Sequence, residues 1–366
     1  MSSNEQWESP SVLIDLDILD RNLKETAASA ARAGVKLRPH TKTHKSVWIA
    51  SEQLRYGAAG ITVAKLGEAE VMAEGGINDI LIAFPVIGQS KLERLGRLME
   101  KAKVTLSTDD EEVARQLSSL GRSLNRDIPL YVDVNTGLNR CGREPGEETA
   151  ELVKQIAQLP YIRIAGLMTH AGHAYGHNDA SGIREVAKKE AESLIMTKHR
   201  LEKDGIPIEE ISVGSTPTSK YVADIAGSGV TEIRPGAYVF GDGGQWKMGL
   251  IGLDQLAMTI AATVVGRPRQ GTIIIDAGSK TLSSDMNKYH PGYGILLGHE
   301  GAVIERLSEE HGIISVPDNE AFKIGQEVRI VPNHCCVVTN LHDRLVGVRN
   351  GRFEKWLPVD ARGKVQ

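Results

Sequence analysis

The chain has 366 residues. That is enough for one large α/β domain plus a smaller second one, because a single layered core rarely grows past about 300 residues. Hydrophobic residues make up 41% and charged residues 25%, and the formal net charge is −4, so bulk electrostatic attraction to nucleic acid or an anionic membrane is excluded.

Three cysteines, two of them adjacent, argue against a disulfide framework and for a reducing compartment. No apolar run approaches the roughly 20 residues that would span a bilayer. The polar start "MSSNEQWESP" lacks the basic and apolar segments of a secretion signal. The expectation is a cytoplasmic protein with no nucleic-acid or membrane partner.

After a tail over residues 1–10, "SVLIDLDILD" reads as a short strand opening. "LDILDRNLKETAASAARAG" follows as a helix closed by Gly34. The chain then alternates. Strand patterns occur at "VKLRPH", "GITVA", "DILIAFP", "KVTLST", "IPLYVDV", "IRIAGLMTH", "EEISVGS" and "TEIRPGAYVF". Helical spacing lies between them, from "KSVWIASEQLRYG" to the long "REVAKKEAESLIMTKHRLEKDG" and a shorter "KYVADIAG". Eight strands with intervening helices predict a (β/α)8 TIM-type barrel over residues 11–245, with an open doubly wound sheet as the structural alternative. From about residue 246 to 366 the texture becomes short strands broken by Gly, Pro and Asn, which predicts a mainly-β C-terminal domain.

In a parallel barrel the chemistry sits where strands end. "RPHTKTHK" ends the first strand, "DVNTGLNRCG" the fifth, "GLMTHAGHAYGH" the sixth, "SVGSTPTS" the seventh and "RPGAYVFGD" the eighth. The loop "GSTPTS" offers small residues, hydroxyls and backbone N–H groups suited to a phosphate, although alone it reads equally well as a polar turn. A phosphate opposite a lysine-bearing strand end points to pyridoxal phosphate, with Lys42 and Lys45 as competing amines. "PNHCCVV" is read as a strand, in which His334 and Cys336 share a face and form half a zinc site; in isolation it is more simply a buried strand. His170, His173 and His177 form a rival cluster, read as a wall for substrate or cofactor rather than a metal site. Tyr175 beside them contacts a cofactor ring or packs.

Together these segments resemble the fold-type III, alanine racemase-like pyridoxal enzymes, and among them the D-threonine aldolase and D-serine dehydratase group. "RPHTKTHKS", "GLNRCG", "GLMTHAGHAY", "GSTPT", "RPGAYVFGD", "DAGSKTLSSD" and "PNHCCVVTNLHD" match in order over nearly the whole chain. The resemblance implies that Lys42 carries pyridoxal 5'-phosphate, with Lys45 structural and His40 and His44 orienting. It places Arg140 near the phenolic oxygen or the substrate carboxylate, with His170 and Tyr175 among the catalytic groups. Tyr175 also contacts the pyridine ring. Gly214, Ser215 and Thr216, with Gly236 and Tyr238 at the eighth strand's end, hold the phosphate. His334 and Cys336 hold a divalent metal, zinc before manganese.

The implied activity is a metal-activated lyase for D-β-hydroxy amino acids. A D-threonine aldolase giving glycine and an aldehyde comes first. A D-serine or D-3-hydroxyaspartate dehydratase giving a keto acid and ammonia is the near alternative, favoured by Cys336, where aldolases of the group tend to carry an acidic residue. A racemase of the same fold and a non-enzymatic cofactor carrier stand behind these. A homodimer is expected by analogy.

Overall fold

The structure is a computed structural model that describes residues 7–177, 179–299, 301–317 and 321–366. The first six residues of the polar start therefore lie outside the described part. The chain forms two compact units. One comprises residues 25–42, 49–236 and 364–366, the other residues 1–24, 43–48 and 237–363.

The opening strand β1 (Ser11–Asp15) runs directly into helix α1 (Leu16–Arg32). The larger unit then carries eight parallel strands: β2 (Lys36–Leu37), β3 (Ile61–Val63), β4 (Asp79–Ile82), β5 (Lys103–Thr108), β6 (Ile128–Asp133), β7 (Ile162–Met168), β8 (Glu210–Val213) and β9 (Glu232–Ile233). They are hydrogen-bonded in the order β2-β9-β8-β7-β6-β5-β4-β3. The ring is completed between its first and last members: Ala59 N–H donates to Leu37 O at 2.8 Å, Thr62 N–H donates to Pro39 O at 2.8 Å, and His40 bridges Thr62 in parallel. The expected (β/α)8 barrel is thus present, and closure decides against the open sheet.

Between the strands come α2 (Val47–Arg55), α3 (Leu66–Glu74), α4 (Gln89–Lys101), α5 (Glu111–Leu124), α6 (Glu147–Ala157), α7 (Ala180–Lys203), and the short α8 (Thr216–Ser219) and α9 (Val222–Ile225). Their origin is local. α4 buries Leu92, Leu95, Leu98 and Met99 at helical spacing. Asp110 caps α5 by accepting from Glu112 N–H, and Asn125 ends it in the left-handed region at φ 48°. The strands read as continuous apolar runs, such as Ile80, Leu81 and Ile82, because helices cover one side and the barrel interior the other. Polar residues also enter the barrel: Arg38 Nε donates to Glu232 at 2.6 Å, and Ser212 Oγ donates to the same carboxylate at 2.6 Å.

In the second unit the short α10 (Gly243–Lys247) follows the turn Ala237–Val239. After it come β10 (Met258–Arg269), β11 (Thr272–Ile275), α11 (Ser279–Leu282), β12 (Ile295–Leu296), β13 (Val303–Leu307), β14 (Gly312–Ser315), β15 (Glu327–Val331), α12 (Cys335–Leu341), β16 (Arg344–Arg349) and β17 (Arg352–Pro358). Its main sheet runs β13-β14-β11-β10-β1-β16-β17, with β15 pairing β10 and β12. β1, which the sequence places within the barrel segment 11–245, pairs antiparallel with β10 and parallel with β16. Its partners on both sides come from more than 230 residues further along the chain, so no local signal marks this pairing.

Two expectations are overturned: "TEIRPGAYVF" pairs only at Glu232–Ile233, with Tyr238 on a turn rather than on the eighth strand, and the segment around His334 changes type. "EVRIVPNHCCVVTN" is not a continuous strand: β15 stops at Val331, and residues 335–341 are helical. Pro332 has no N–H to continue the ladder. Asn333 is then held by its side chain, which donates to Asp285 O at 3.0 Å and Gly292 O at 2.8 Å. The Cys335 N–H is taken by the Asp242 carboxylate at 3.3 Å, which caps the new helix despite its β-branched residues.

Candidate active site

Lys42 lies in a 3-10 turn, Thr41–Thr43, at the C-terminal end of β2. The turn is anchored from below. The Thr41 hydroxyl contacts Glu68 at 2.6 Å and Thr62 O at 3.2 Å, while the other Glu68 oxygen accepts from Ala64 N–H at 3.1 Å. Lys42 N–H faces His40 Nδ1 at 3.4 Å. His44 is fully buried, and its Nδ1 accepts from Ser46 N–H at 3.1 Å. Lys45 is buried with φ 49°, a conformation that L-residues rarely adopt, and its carbonyl accepts from Ala361 N–H.

At the same end of the barrel, His170 follows β7. Burial first, then the charges of Lys42, Arg140 and Arg234, push its pKa down to about 3, and its ring is hydrogen-bonded to the backbone at Gly214. The imidazole is therefore neutral and stands among three cations. A narrow cleft lined by Asp133, Thr136, Arg140, Thr169 and His170 among others lies beside it. Burial raises Asp133 to about 6 against the pull of Arg234.

Gly214 has φ 108°, which favours glycine. Ser215 and Thr216 after it are buried, and Thr216 Oγ1 accepts from Gly236 N–H at 3.2 Å. Tyr175 is 36% exposed on the turn Gly172–Gly176. His173 and His177 share that neighbourhood, and among the described residues no group of three or more His, Cys, Asp or Glu could hold a metal ion. Tyr238 sits on a turn, Ala237–Val239, in the second unit.

Within that second unit His334 is the N-cap of α12 and Cys336 lies in the first turn of the same helix. They meet although no strand pairs their faces: the imidazole hydrogen-bonds the Cys336 thiol. His334 Nδ1 also bonds Asp285 Oδ2 at 2.9 Å, and Thr43 Oγ1 lies 3.1 Å from Cys336 Sγ. The Cys336 bond, with the Cys336 and Asp242 charges, raises His334 to about 10. Hydrogen bonds from Cys335 and His334 depress the Cys336 thiol well below its usual range.

Four groups at these sites were not singled out from the sequence. Arg234 and Asp285 stood inside the quoted motifs "RPGAYVFGD" and "DAGSKTLSSD". Asp133 ends a strand whose loop was noted. Glu190, on α7, had a signal of its own: an acid on the stripe of Ile183, Ala187, Ala191 and Leu194. Arg234 is buried, with Nη1 donating to Ser212 Oγ and Nη2 to Thr169 O.

Residues 14–243 match the family described as alanine racemase, N-terminal domain, and residues 257–348 match a putative serine dehydratase domain. A D-threonine aldolase of Arthrobacter sp. is 32% identical over 361 residues, spanning 97% of this chain and 93% of its own. A D-threo-3-hydroxyaspartate dehydratase of Delftia sp. (strain HT23) is 31% identical over 349 residues, 90% and 91% of the two chains. Among solved structures, a D-threonine aldolase from Filomicrobium marinum superposes with a TM-score of 0.90 at 32% identity, covering 98% and 97%. A cysteine-to-alanine variant of a D-threo-3-hydroxyaspartate dehydratase, solved in the metal-free form, gives 0.88 at 30% identity over 96% and 98%. Among the described residues no helix is long and apolar enough to cross a membrane.

Proposed function

The chain belongs to the alanine racemase N-terminal domain family, here joined to a serine dehydratase-type domain, and we propose that it is a pyridoxal-phosphate lyase that splits D-β-hydroxy amino acids between Cα and Cβ as a D-threonine aldolase. The observation that carries this reading is the gathering of Lys42, Arg140 and Arg234 around His170 at the strand-end face of the barrel. That surrounding suits a group bearing a phosphate and an aldehyde. Pyridoxal phosphate supplies an aldehyde for an amine and a ring that accepts electrons from bonds broken at the adjacent carbon.

In this reading Lys42 is the amine that holds the cofactor, and its turn is fixed by Thr41 on Glu68. Ser215 and Thr216 bind the phosphate, on a loop that the Gly236 N–H holds at Thr216 Oγ1. Arg140 binds the substrate carboxylate. His170, uncharged throughout the physiological range, accepts or donates one hydrogen bond at the reacting face without adding a fourth cation. Tyr175 covers the ring and excludes water.

His334 and Cys336 fit a divalent ion of borderline softness, zinc before manganese. Asp285 on Nδ1 leaves Nε2 for the ion, the usual carboxylate–histidine arrangement. A bound divalent ion acts as a Lewis acid toward a hydroxyl oxygen.

A second reading, dehydration to a keto acid and ammonia, is favoured by Cys336. A metal-free relative altered at a cysteine is a dehydratase, and a thiolate selects zinc. The two are separated by incubating the protein with D-threonine, D-serine and D-3-hydroxyaspartate and assaying glycine plus aldehyde against keto acid plus ammonia. Glycine with aldehyde is expected. Keto acid and ammonia alone would replace the first reading by the second, and neither product from any of the three would end both.

A further inference from the structure

Glu190 lies on the inward stripe of α7 and is 1% exposed. Its Oε2 accepts from Gly214 N–H at 3.1 Å, and the carboxyl also takes a hydrogen bond from Thr218. The Thr218 hydroxyl in turn accepts from Ser215 N–H at 3.0 Å and lies 3.2 Å from Ser215 Oγ. One carboxyl therefore grips the loop at both sides of Ser215. The second oxygen, Oε1, is buried without a hydrogen-bond partner. A full negative charge at this point would be costly for two reasons: it is desolvated, and it lies under a loop read above as holding an anion.

Resting on that cofactor reading, we propose that Glu190 is a positioning residue for the phosphate end of the cofactor: as a neutral acid it sets the Gly214–Ser215–Thr216 loop, and its ionisation weakens phosphate retention. Burial supports the neutral form by raising the acid to about 7. The groups around it leave this balance to the loop. Arg234, beyond the end of β9, is the charge that Glu190 feels. The loop after β8 offers it the Gly214 N–H, and α8 offers Thr218. On α9, Asp224 is paired with Arg184 at 2.9 Å. His173, on the turn before α7, feels His177 and Lys189. Phosphate itself changes charge near pH 6, so the range above 7 isolates Glu190.

The test measures the affinity of the full chain for pyridoxal 5'-phosphate and for phosphate-free pyridoxal between pH 7 and 8.5, by absorbance titration. For the unaltered protein, affinity for the phosphate ester should fall by up to about tenfold per pH unit relative to pyridoxal, the slope of one linked proton. In Glu190→Gln, which keeps the shape and cannot ionise, that relative fall should vanish. A Glu190→Gln protein with the same relative slope would overturn the proposal. So would equal slopes for the two ligands in the unaltered protein, a comparison that needs no variant to fold. If the unaltered protein bound neither ligand at any pH, the cofactor reading itself would fail, a result separate from either of these.

Discussion

His170 and His334 are two imidazoles at element ends, driven in opposite directions by their surroundings. In the barrel unit, burial and three cations strip His170 of its proton and push it down to about 3. In the antiparallel unit, Cys336, Asp242 and Asp285 hold a proton on His334 and push it up to about 10. The same side chain thus marks one pocket prepared for negative charge and another prepared for positive charge. An anionic cofactor would offset the cations buried around His170, because a buried excess of one sign is expensive until paired, whereas at the half-exposed His334 a divalent ion would take the place of the proton.

The sharpest way to break the contrast is Lys42→Ala. It should remove the visible absorption of the bound cofactor and lower turnover by about 10³-fold or more. A normal spectrum in that variant would refute the assignment. Next in size, a chelator or His334→Ala should abolish most turnover yet leave the absorption intact. Full activity in metal-free protein would remove the metal from the reaction.

Asp285→Ala tests the antiparallel side more finely. Loss of the Nδ1 partner should weaken metal affinity by about 10–100-fold, read by competition with a coloured chelator, and unchanged affinity would make Asp285 irrelevant to the ion.

The smallest effect is on stability. With its pKa depressed in the folded chain, His170 binds fewer protons folded than unfolded between about pH 3 and 6.5. Its contribution is present above pH 6.5 and is lost as the pH falls through that window. His170→Asn should flatten part of the acid limb of a pH–stability curve measured by urea denaturation on cofactor-free protein. An identical limb would show that other groups carry it.

Much of this architecture was legible because it is written in local periodicity. All eight barrel strands announced themselves as apolar runs between amphipathic helices, and each has a counterpart within a few residues. The strand after Thr231 was read too long: "TEIRPGAYVF" pairs only at Glu232–Ile233 before the turn Ala237–Val239, since Pro235 cannot donate to a ladder. The segment around His334 was misread for a related reason. Its β-branched run has strand propensity, but a proline upstream and a carboxylate from residue 242 convert it to a helix. Glu190 could have been found, because an acid spaced among Ile183, Ala187 and Leu194 faces inward.

The sequence by itself determined the alternation of strands and helices, the strand-end positions of Lys42, Arg140, His170 and Gly214, and the order of motifs that marks the family. Those follow from patterns within a dozen residues of each other. Tertiary structure alone decided that β1 joins the antiparallel sheet, that His334 and Cys336 meet through a helix cap rather than a strand face, and that each imidazole gains or loses its proton. Pairing partners and local fields come from residues far apart in the chain, and no local period encodes them.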